Sequence, residues 1–497
     1  MAHRHGLSTK FLALALAELI IYLPVLSAAR AQQEPPKPVS STAPLRSELD
    51  KPYLELFEAS PTLQFTAGEI RKQREALVNG RAACVKRFKE HAKSYGKQIA
   101  AAQKELQAKS AKIDESERHQ MHCRIANLDL LQSEARVLAD NAIPTAYDNL
   151  NAKLELIEKW PAAHGQIQRE LASGAFHQRR WGDVKDIGFR VIAAKEEDDI
   201  RRGQEAVRDM KQQGLMPPEL PDKAIQDYVN EVAQRVAQHS DLKIPLHVTV
   251  LQSREINAFA LPGGYLFIER GLLEEADDES ELAGVIAHEI AHDAARHGYK
   301  LVKKATIAAI FHQAAQVAAI VLTGGAAGIG LAYAMQYGFY GLGMVLNLKL
   351  LGISREYELE ADQLGVQYAC NSGYDPTGFT RFFDKMASKA GYVNSVSWFR
   401  THPPFYRRMV DVQREIAFLP KKENLIVQTA AFQQMKEELA PIAVQAEKEE
   451  VGKPSLLTRE KGCEPPKKLE YKPGQPIEML CASAPVSVPA AKSNGNN

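Results

Sequence analysis

The sequence carries almost no net charge for its length. Its 497 residues include 62 Lys and Arg against 61 Asp and Glu, which gives a formal net charge of +1 at pH 7. Proteins that bind nucleic acid through its phosphates carry an excess of basic side chains on one face. The charge balance therefore gives no electrostatic case for nucleic-acid binding. The length of the chain is enough for two or three domains.

Cysteine is also scarce, and the spacing of the five cysteines excludes a zinc finger. Cys84 and Cys123 flank the presumed turn of a helical hairpin, so we expect them to form a disulfide in an oxidising compartment. Cys463 and Cys481 form the second predicted pair, which leaves Cys370 unpaired.

His119, His122 and Cys123 share one face of a predicted helix. A structural zinc site needs a fourth ligand, and the sequence offers none nearby. We therefore interpret this cluster as structural rather than metal-binding.

A third absence is that of acidic side chains between Ala305 and Leu351. The stretch consists of two apolar runs, 305–322 and 327–348, and each is close to the ~20 residues that span a bilayer. Polar side chains such as His312 and several glycines weaken a spanning interpretation. We expect an apolar helical hairpin, residues 305–351, that is buried or contacts a membrane, and a transmembrane hairpin is the alternative.

The sequence contains one motif rich in histidine and acidic residues, GVIAHEIAHDAARH, at residues 284–297. Apolar residues at helical spacing and the lack of proline predict a helix, on which His288 and His292 lie on one face, one turn apart. Two such imidazoles suit a single tetrahedral metal ion, and Glu289 lies where a carboxylate can take a proton from water at the metal. The alternative is a buried helix whose histidines only pack and form hydrogen bonds.

A catalytic zinc site needs a third protein ligand. A histidine six residues after His292 would serve, but His297 comes one residue too early. The other common solution is a glutamate from a separate helix, and the segment SREYELEADQLG at 354–365 offers one. There, Glu358 and Asp362 lie four residues apart on one helical face, so Glu358 could bind the metal while Asp362 accepts an N–H from a ligand imidazole.

The same segment contains two further glutamates, Glu356 and Glu360. We interpret both as part of a solvated helix face.

Four motifs follow one another along the chain: INAFALPGGYLFIERGLL (256–273), HEIAH (288–292), SREYELEAD (354–362) and THPPFYRRM (401–409). In this order they resemble metallopeptidase family forty-eight over roughly residues 196–420. That family includes the CaaX prenyl endopeptidases, the membrane protease HtpX and exported bacterial zinc proteases. The resemblance implies an α+β, mostly helical fold, with a zincin domain of the gluzincin type, a small β-sheet and a preceding long-helix region.

Carried over residue by residue, the resemblance implies one zinc ion with three protein ligands: His288, His292 and Glu358. It implies that Glu289 is the general base and that Asp362 is the carboxylate behind the ligands. His402 looks like the family's active-site histidine, which would either cap the zinc at rest or stabilise the oxyanion. The alternative for His402 is a loop histidine that only packs or caps a helix.

The segment LHVTVLQSREINAFALPGGYLFIERGLL contains two β-rich runs, and Pro262-Gly263-Gly264 predicts a turn between them. An edge strand near a zinc helix offers unpaired backbone groups, onto which an extended polypeptide can add as another strand. We therefore predict a substrate-binding strand, formed by Asn257, Ala258, Phe259 and Ala260. An ordinary sheet segment is the alternative.

The N-terminus combines basic residues, an apolar run at 11–26 and Ala29-Arg30-Ala31, which predicts a secretory signal peptide. A retained membrane anchor is the alternative. The predicted organisation is a signal peptide (1–31), a linker (32–49), a helical hairpin or coiled-coil-like region (50–195), the peptidase domain (196–420), and a C-terminal helix with a poorly ordered tail (421–497).

Together these features predict an exported zinc metalloendopeptidase that cleaves unfolded or misassembled envelope proteins in the periplasm, with polypeptides as substrates and no nucleic-acid partner. The envelope membrane, or protein complexes within it, is a further expected partner through residues 305–351. A zinc-stabilised chaperone or scaffold, which binds extended polypeptide with little cleavage, is the alternative.

Overall fold

The computed structural model describes residues 44–109, 113–174, 196–212, 216–298, 355–389, 406–451, 463, 475–486 and 488. Three sequence predictions lie outside these residues: the signal peptide at 1–31, the apolar hairpin at 305–351 and the active-site histidine His402. Within the described residues, no helix combines the length and the apolar character needed to cross a bilayer.

The described chain is mostly helical with one small sheet, which confirms the predicted fold class. The N-terminal helices are α1 (Leu45–Glu48), α2 (Tyr53–Ala59), α3 (Ala67–Lys109), α4 (Glu115–Val137), a π-helical turn (Leu138–Ala142) and α5 (Ile143–Ser173). Then follow α6 (Glu196–Gln212), α7 (Lys223–Gln238), β1 (His247–Leu251), β2 (Ala258–Leu261), β3 (Tyr265–Glu269), α8 (Arg270–Glu275) and α9 (Glu279–Ala294). The last helices are α10 (Arg355–Asn371), α11 (Thr377–Lys389), α12 (Tyr406–Phe418), α13 (Ala430–Val451) and α14 (Ile477–Ala482).

Among the N-terminal helices, α3 and α4 pack along each other and α5 returns against α3. Asp114 caps α4, because its side chain accepts a hydrogen bond from the backbone N–H of Glu117 at 2.7 Å. Helix α1 falls inside the segment predicted as a linker. Its Leu45 and the following Leu49 are buried, so residues 44–49 belong to the packed structure.

The sheet has the strand order β1-β3-β2, with β1 parallel and β2 antiparallel to β3. The predicted turn connects β2 to β3, and its Gly263 and Gly264 have φ values of 91° and 84°. Side chains with a Cβ rarely adopt this left-handed conformation, which explains the two glycines. The turn leaves β2 at one edge of the sheet.

Helix α9, which carries the HEIAH motif, lies at the centre of the fold. All sixteen of its residues are buried, and α7, α10, α11 and β2 surround it. Asp278 starts the helix by accepting a hydrogen bond from the backbone N–H of Glu281 at 3.0 Å. The N-terminal layer packs on the same body, because α5 contacts α12 and α2 contacts α11.

The predicted disulfide pairing is wrong. The structure joins Cys84 to Cys481 and Cys123 to Cys463, with Cα–Cα distances of 5.1 and 5.3 Å, and only Cys370 was correctly predicted as free. At 1.5 Å per helical residue, Cys84 lies about 38 Å from the turn of the hairpin and Cys123 about 12 Å from it. The two cysteines therefore lie at different distances from the turn and cannot form a disulfide with each other. Each is linked to a cysteine of the C-terminal segment instead.

Peptide mapping of the protein purified without reductant tests this pairing. We expect mass spectrometry of the non-reduced digest to find two linked peptides, Cys84 with Cys481 and Cys123 with Cys463, and an alkylated Cys370. A linked peptide that joins Cys84 to Cys123 would contradict the packing of the C-terminal segment on the hairpin.

Candidate metal centre

Helices α9 and α10 bring three potential metal ligands together. The Nε2 atom of His288 lies 3.0 Å from Nε2 of His292 and 3.8 Å from Oε2 of Glu358, and His292 Nε2 lies 3.5 Å from Oε1 of Glu358. Ligands bound at about 2.0–2.1 Å to a tetrahedral ion lie about 3.3 Å from one another. The three side chains therefore have the spacing of three corners of a tetrahedral site.

The charges around these ligands also suit a cation. Glu358, Asp362 and Glu289 are all buried, and Arg408 is the buried base that pairs with the first two. Ionised, the three carboxylates and one guanidinium leave two negative charges, which one divalent ion neutralises. Two imidazoles with one carboxylate form a ligand set typical of zinc and other first-row metals, whereas calcium and magnesium prefer oxygen ligands alone.

Asp362 orients one of the two imidazoles. The Nδ1 atom of His288 lies 2.9 Å from Oδ1 of Asp362, so that an N–H donated there leaves the Nε2 lone pair directed at Glu358. Burial alone would raise the pKa of Asp362, but Arg408 and the hydrogen bond from His288 lower it below its usual value. Asp362 therefore stays ionised and can accept this hydrogen bond.

Arg408 of α12 is a site residue that the sequence analysis missed. Its side chain is fully buried, its Nε and Nη2 atoms lie 2.6 and 2.7 Å from the two carboxylate oxygens of Asp362, and its Nη1 lies 3.1 Å from Glu358. The sequence held one signal, because Arg408 precedes the apolar Val412 by four residues and so shares a helix face with it. The structure shows that this face of α12 is buried. One guanidinium thus holds both acidic side chains of α10 in place.

Two glycines allow the helices to approach this closely. A Cβ atom at Gly365 of α10 would lie 3.0 Å from the backbone N and Cα of His288. At Gly284 of α9, a Cβ would lie 2.8 Å from the backbone N of Phe379 on α11. The distance of Glu358 and Asp362 from the histidines therefore depends on a glycine that the sequence analysis quoted without assigning it a role.

Glu289 lies in α9 between the two histidines, and 2% of it is exposed. Its charge is among those that raise the pKa of Arg408, although burial opposes that shift. The Glu289 carboxylate is thus close enough to interact with the same guanidinium as Glu358 and Asp362.

The predicted substrate strand lies next to the helix that carries His288 and His292. β2 packs on α9, and Asn257 directly precedes it, so the predicted segment and the observed strand differ by one residue. Asp293, the neighbour of His292, is buried and accepts hydrogen bonds from the backbone N–H groups of Gly263 and Gly264. Burial raises the pKa of Asp293 to about 7 despite these bonds. The turn after β2 is thereby attached to the helix that carries the histidines.

The interpretation of Glu360 as part of a solvated face is wrong. Its side chain is 24% exposed, and Oε2 lies 3.0 Å from Nε2 of the buried His297. Glu356, by contrast, is exposed as expected. Glu360 is only partly exposed because it follows Tyr357 by three residues, and that face of α10 receives the His297 ring.

Comparison with known proteins finds similarity over the same part of the chain. Residues 220–416 match the sequence model of Peptidase family M48. The chain is 29% identical over 233 residues to a protein of Yersinia pestis named "Beta-barrel assembly-enhancing protease", which covers 46% of each chain. The protein of the same name from Escherichia coli K12 is 30% identical over 202 residues, 39% of this chain and 40% of the relative.

A eukaryotic relative matches the same region. The "Mitochondrial metalloendopeptidase OMA1" of Schizosaccharomyces pombe is 32% identical over 190 residues, 37% of this chain and 51% of the relative. The chain thus spans about half the length of the curated relatives it matches. The family match, 220–416, contains all of the candidate ligands.

Arg408 and its neighbour Arg407 form a matched pair for testing the buried ion network. Arg408→Ala leaves two carboxylates buried without their base, so we expect the free energy of unfolding to fall by about 3–5 kcal/mol. The Arg407 side chain is 67% exposed and pairs with Asp411, so Arg407→Ala should change the free energy of unfolding by about 1 kcal/mol or less. Urea unfolding with a chelator present measures both, and equal effects would contradict the network.

Proposed function

We propose that this chain, which carries a domain of peptidase family M48, is a zinc metalloendopeptidase that hydrolyses peptide bonds of unfolded or misassembled polypeptides. The observation that carries the proposal is the convergence of His288, His292 and Glu358 in a buried acidic centre, with Glu289 on the same helix. Family membership supports it, because the names of the relatives describe proteases and a metalloendopeptidase.

When bound at these ligands, zinc would polarise the scissile carbonyl and make water a stronger nucleophile. Glu289 takes the proton from the attacking water and passes it to the leaving amine. Asp362 keeps the His288 ring in the orientation that directs Nε2 at the metal. Arg408 prevents the buried carboxylates of α10 from repelling each other, and so keeps Glu358 available as a ligand.

The edge strand provides a place for an extended substrate. The carbonyl of Asn257 accepts the N–H of Glu269 at 3.0 Å, so the backbone groups of Asn257 and Phe259 point at β3. The backbone groups of Ala258 and Ala260 then point away from the sheet. Among the described residues no strand pairs with that side, so an extended polypeptide can add there next to α9.

We further propose that the protein is exported and acts on envelope proteins. Two disulfides favour an oxidising compartment. The name of the bacterial relatives refers to β-barrel assembly, and membrane-spanning β-barrels belong to the bacterial outer membrane. Membrane association through residues 305–351 and the two candidate roles of His402 stay predictions from the sequence.

Glu289→Gln separates catalysis from metal binding. We expect this variant to keep one zinc per chain and to lose turnover of unfolded casein by about 100- to 10,000-fold, because it removes the general base and no ligand. Glu358→Ala should lose most of its zinc. Glu356→Gln, at an exposed position of α10, is the control and should retain both properties.

Full cleavage by zinc-loaded Glu289→Gln would remove the general-base assignment. A wild-type protein that holds zinc and binds unfolded casein without cutting it would favour the chaperone or scaffold alternative.

Ala260→Pro tests the edge strand. Proline removes an N–H that faces away from the sheet, so the ladder with β3 stays intact while a substrate loses one backbone donor. We expect kcat/KM for an extended peptide to fall roughly 2- to 10-fold at unchanged zinc content.

Val248→Pro is the control, because the N–H of Val248 faces the opposite edge of the sheet, beyond β1. Equal losses in the two variants would show a general effect of proline on the sheet and would contradict substrate binding at β2.

A further inference from the structure

A second hydrogen-bonded chain lies behind the ligand His292. The Nδ1 atom of His292 lies 2.9 Å from Nδ1 of His297, and Nε2 of His297 lies 3.0 Å from Oε2 of Glu360. The His297 side chain is 1% exposed. This arrangement connects a ligand of α9 to a carboxylate of α10 through His297, which lies one residue before the position at which a third histidine ligand would be expected.

The backbone after α9 makes a sharp reversal to place His297 there. Arg296 has a φ of 57°, a left-handed conformation that is unfavourable for a residue with a side chain and persists only where the surroundings hold it. Arg296 forms an ion pair with Asp199 of α6, and both side chains are largely buried. The fold therefore maintains a strained residue at the position that returns His297 to the ligand.

Helix α10 holds the His297 ring in one orientation. Tyr357 stacks on the ring with centroids 4.4 Å apart and planes inclined by 11°, and Glu360, three residues later, binds Nε2. The ring can neither rotate nor flip without losing the hydrogen bond to Glu360.

This orientation determines which nitrogen of each imidazole carries a proton. Because a carboxylate only accepts, Nε2 of His297 must be the donor to Glu360, and Nδ1 of the neutral ring is then an acceptor. The N–H that it accepts comes from Nδ1 of His292. The remaining nitrogen of His292, Nε2, then has its lone pair directed at Glu358 and His288.

We propose that His297, held by Glu360, is a positioning residue that keeps His292 in the tautomer whose Nε2 binds the metal. The inference rests on the proposed zinc site. It makes α10 the source of both orienting carboxylates, since Asp362 contacts His288 directly and Glu360 acts on His292 through His297.

Two substitutions of His297 separate hydrogen bonding from packing. His297→Phe retains a ring to stack on Tyr357 but offers His292 no acceptor. His297→Asn loses the ring but can place its side-chain oxygen close to the position of Nδ1. We expect the zinc affinity of the full chain, measured by competition with a chelator, to fall about 10- to 100-fold for His297→Phe and to stay within a few-fold of wild type for His297→Asn.

The reverse order, with tight binding by His297→Phe and weak binding by His297→Asn, would assign His297 a packing role and overturn the proposal. Equal affinity in all three proteins would also overturn it. A wild-type chain that binds no zinc would instead refute the proposed function, and with it this inference.

Nitrogen-15 NMR of the zinc-loaded wild type gives a second test that needs no variant. We expect protonated Nδ1 in His292 and protonated Nε2 with unprotonated Nδ1 in His297. Protonated Nδ1 in His297 would overturn the proposal even if both variants failed to fold.

Discussion

The close packing of α10 against α9 is the constraint on which the rest of the site depends. It is possible because Gly365 faces the backbone of His288, where a Cβ would lie 3.0 Å away. At that distance α10 places the candidate ligand Glu358 beside both histidines of the motif, Asp362 against His288 and Glu360 against His297. A wider separation would remove all three interactions together, because one rigid helix carries them.

Burial of this much negative charge requires compensation, and the fold supplies it from a third helix. Arg408 of α12 pairs with Glu358 and Asp362 while fully buried. An uncompensated carboxylate in such surroundings would take up a proton rather than stay charged. The arginine thereby makes the candidate ligand set compatible with the folded state, and a divalent ion would complete the charge balance. The N-terminal helices support this part of the molecule by packing α5 on α12.

Regular spacing along a helix explains what could be predicted from the sequence and what could not. His288 with His292, and Glu358 with Asp362, lie four residues apart on single helices, and the structure places them together. Three other features depend on tertiary contacts: Arg408 reaches the site from α12, His297 returns through a left-handed residue, and Glu360 is covered by that return. Helical spacing could have placed Arg408 on a buried face, but it could not show which residues that face contacts. The predicted disulfides are wrong for a related reason. The position of each cysteine along α3 or α4 decides which cysteine it can reach, and both partners lie in the C-terminal segment.

The central claim is that one zinc ion binds at the junction of α9 and α10. Anomalous diffraction at the zinc edge, on crystals of the zinc-loaded Glu289→Gln protein, tests it most directly. We predict a single strong peak about 2.0–2.1 Å from Nε2 of His288, Nε2 of His292 and an oxygen of Glu358. A peak elsewhere, or ligation that leaves out Glu358, would contradict the account.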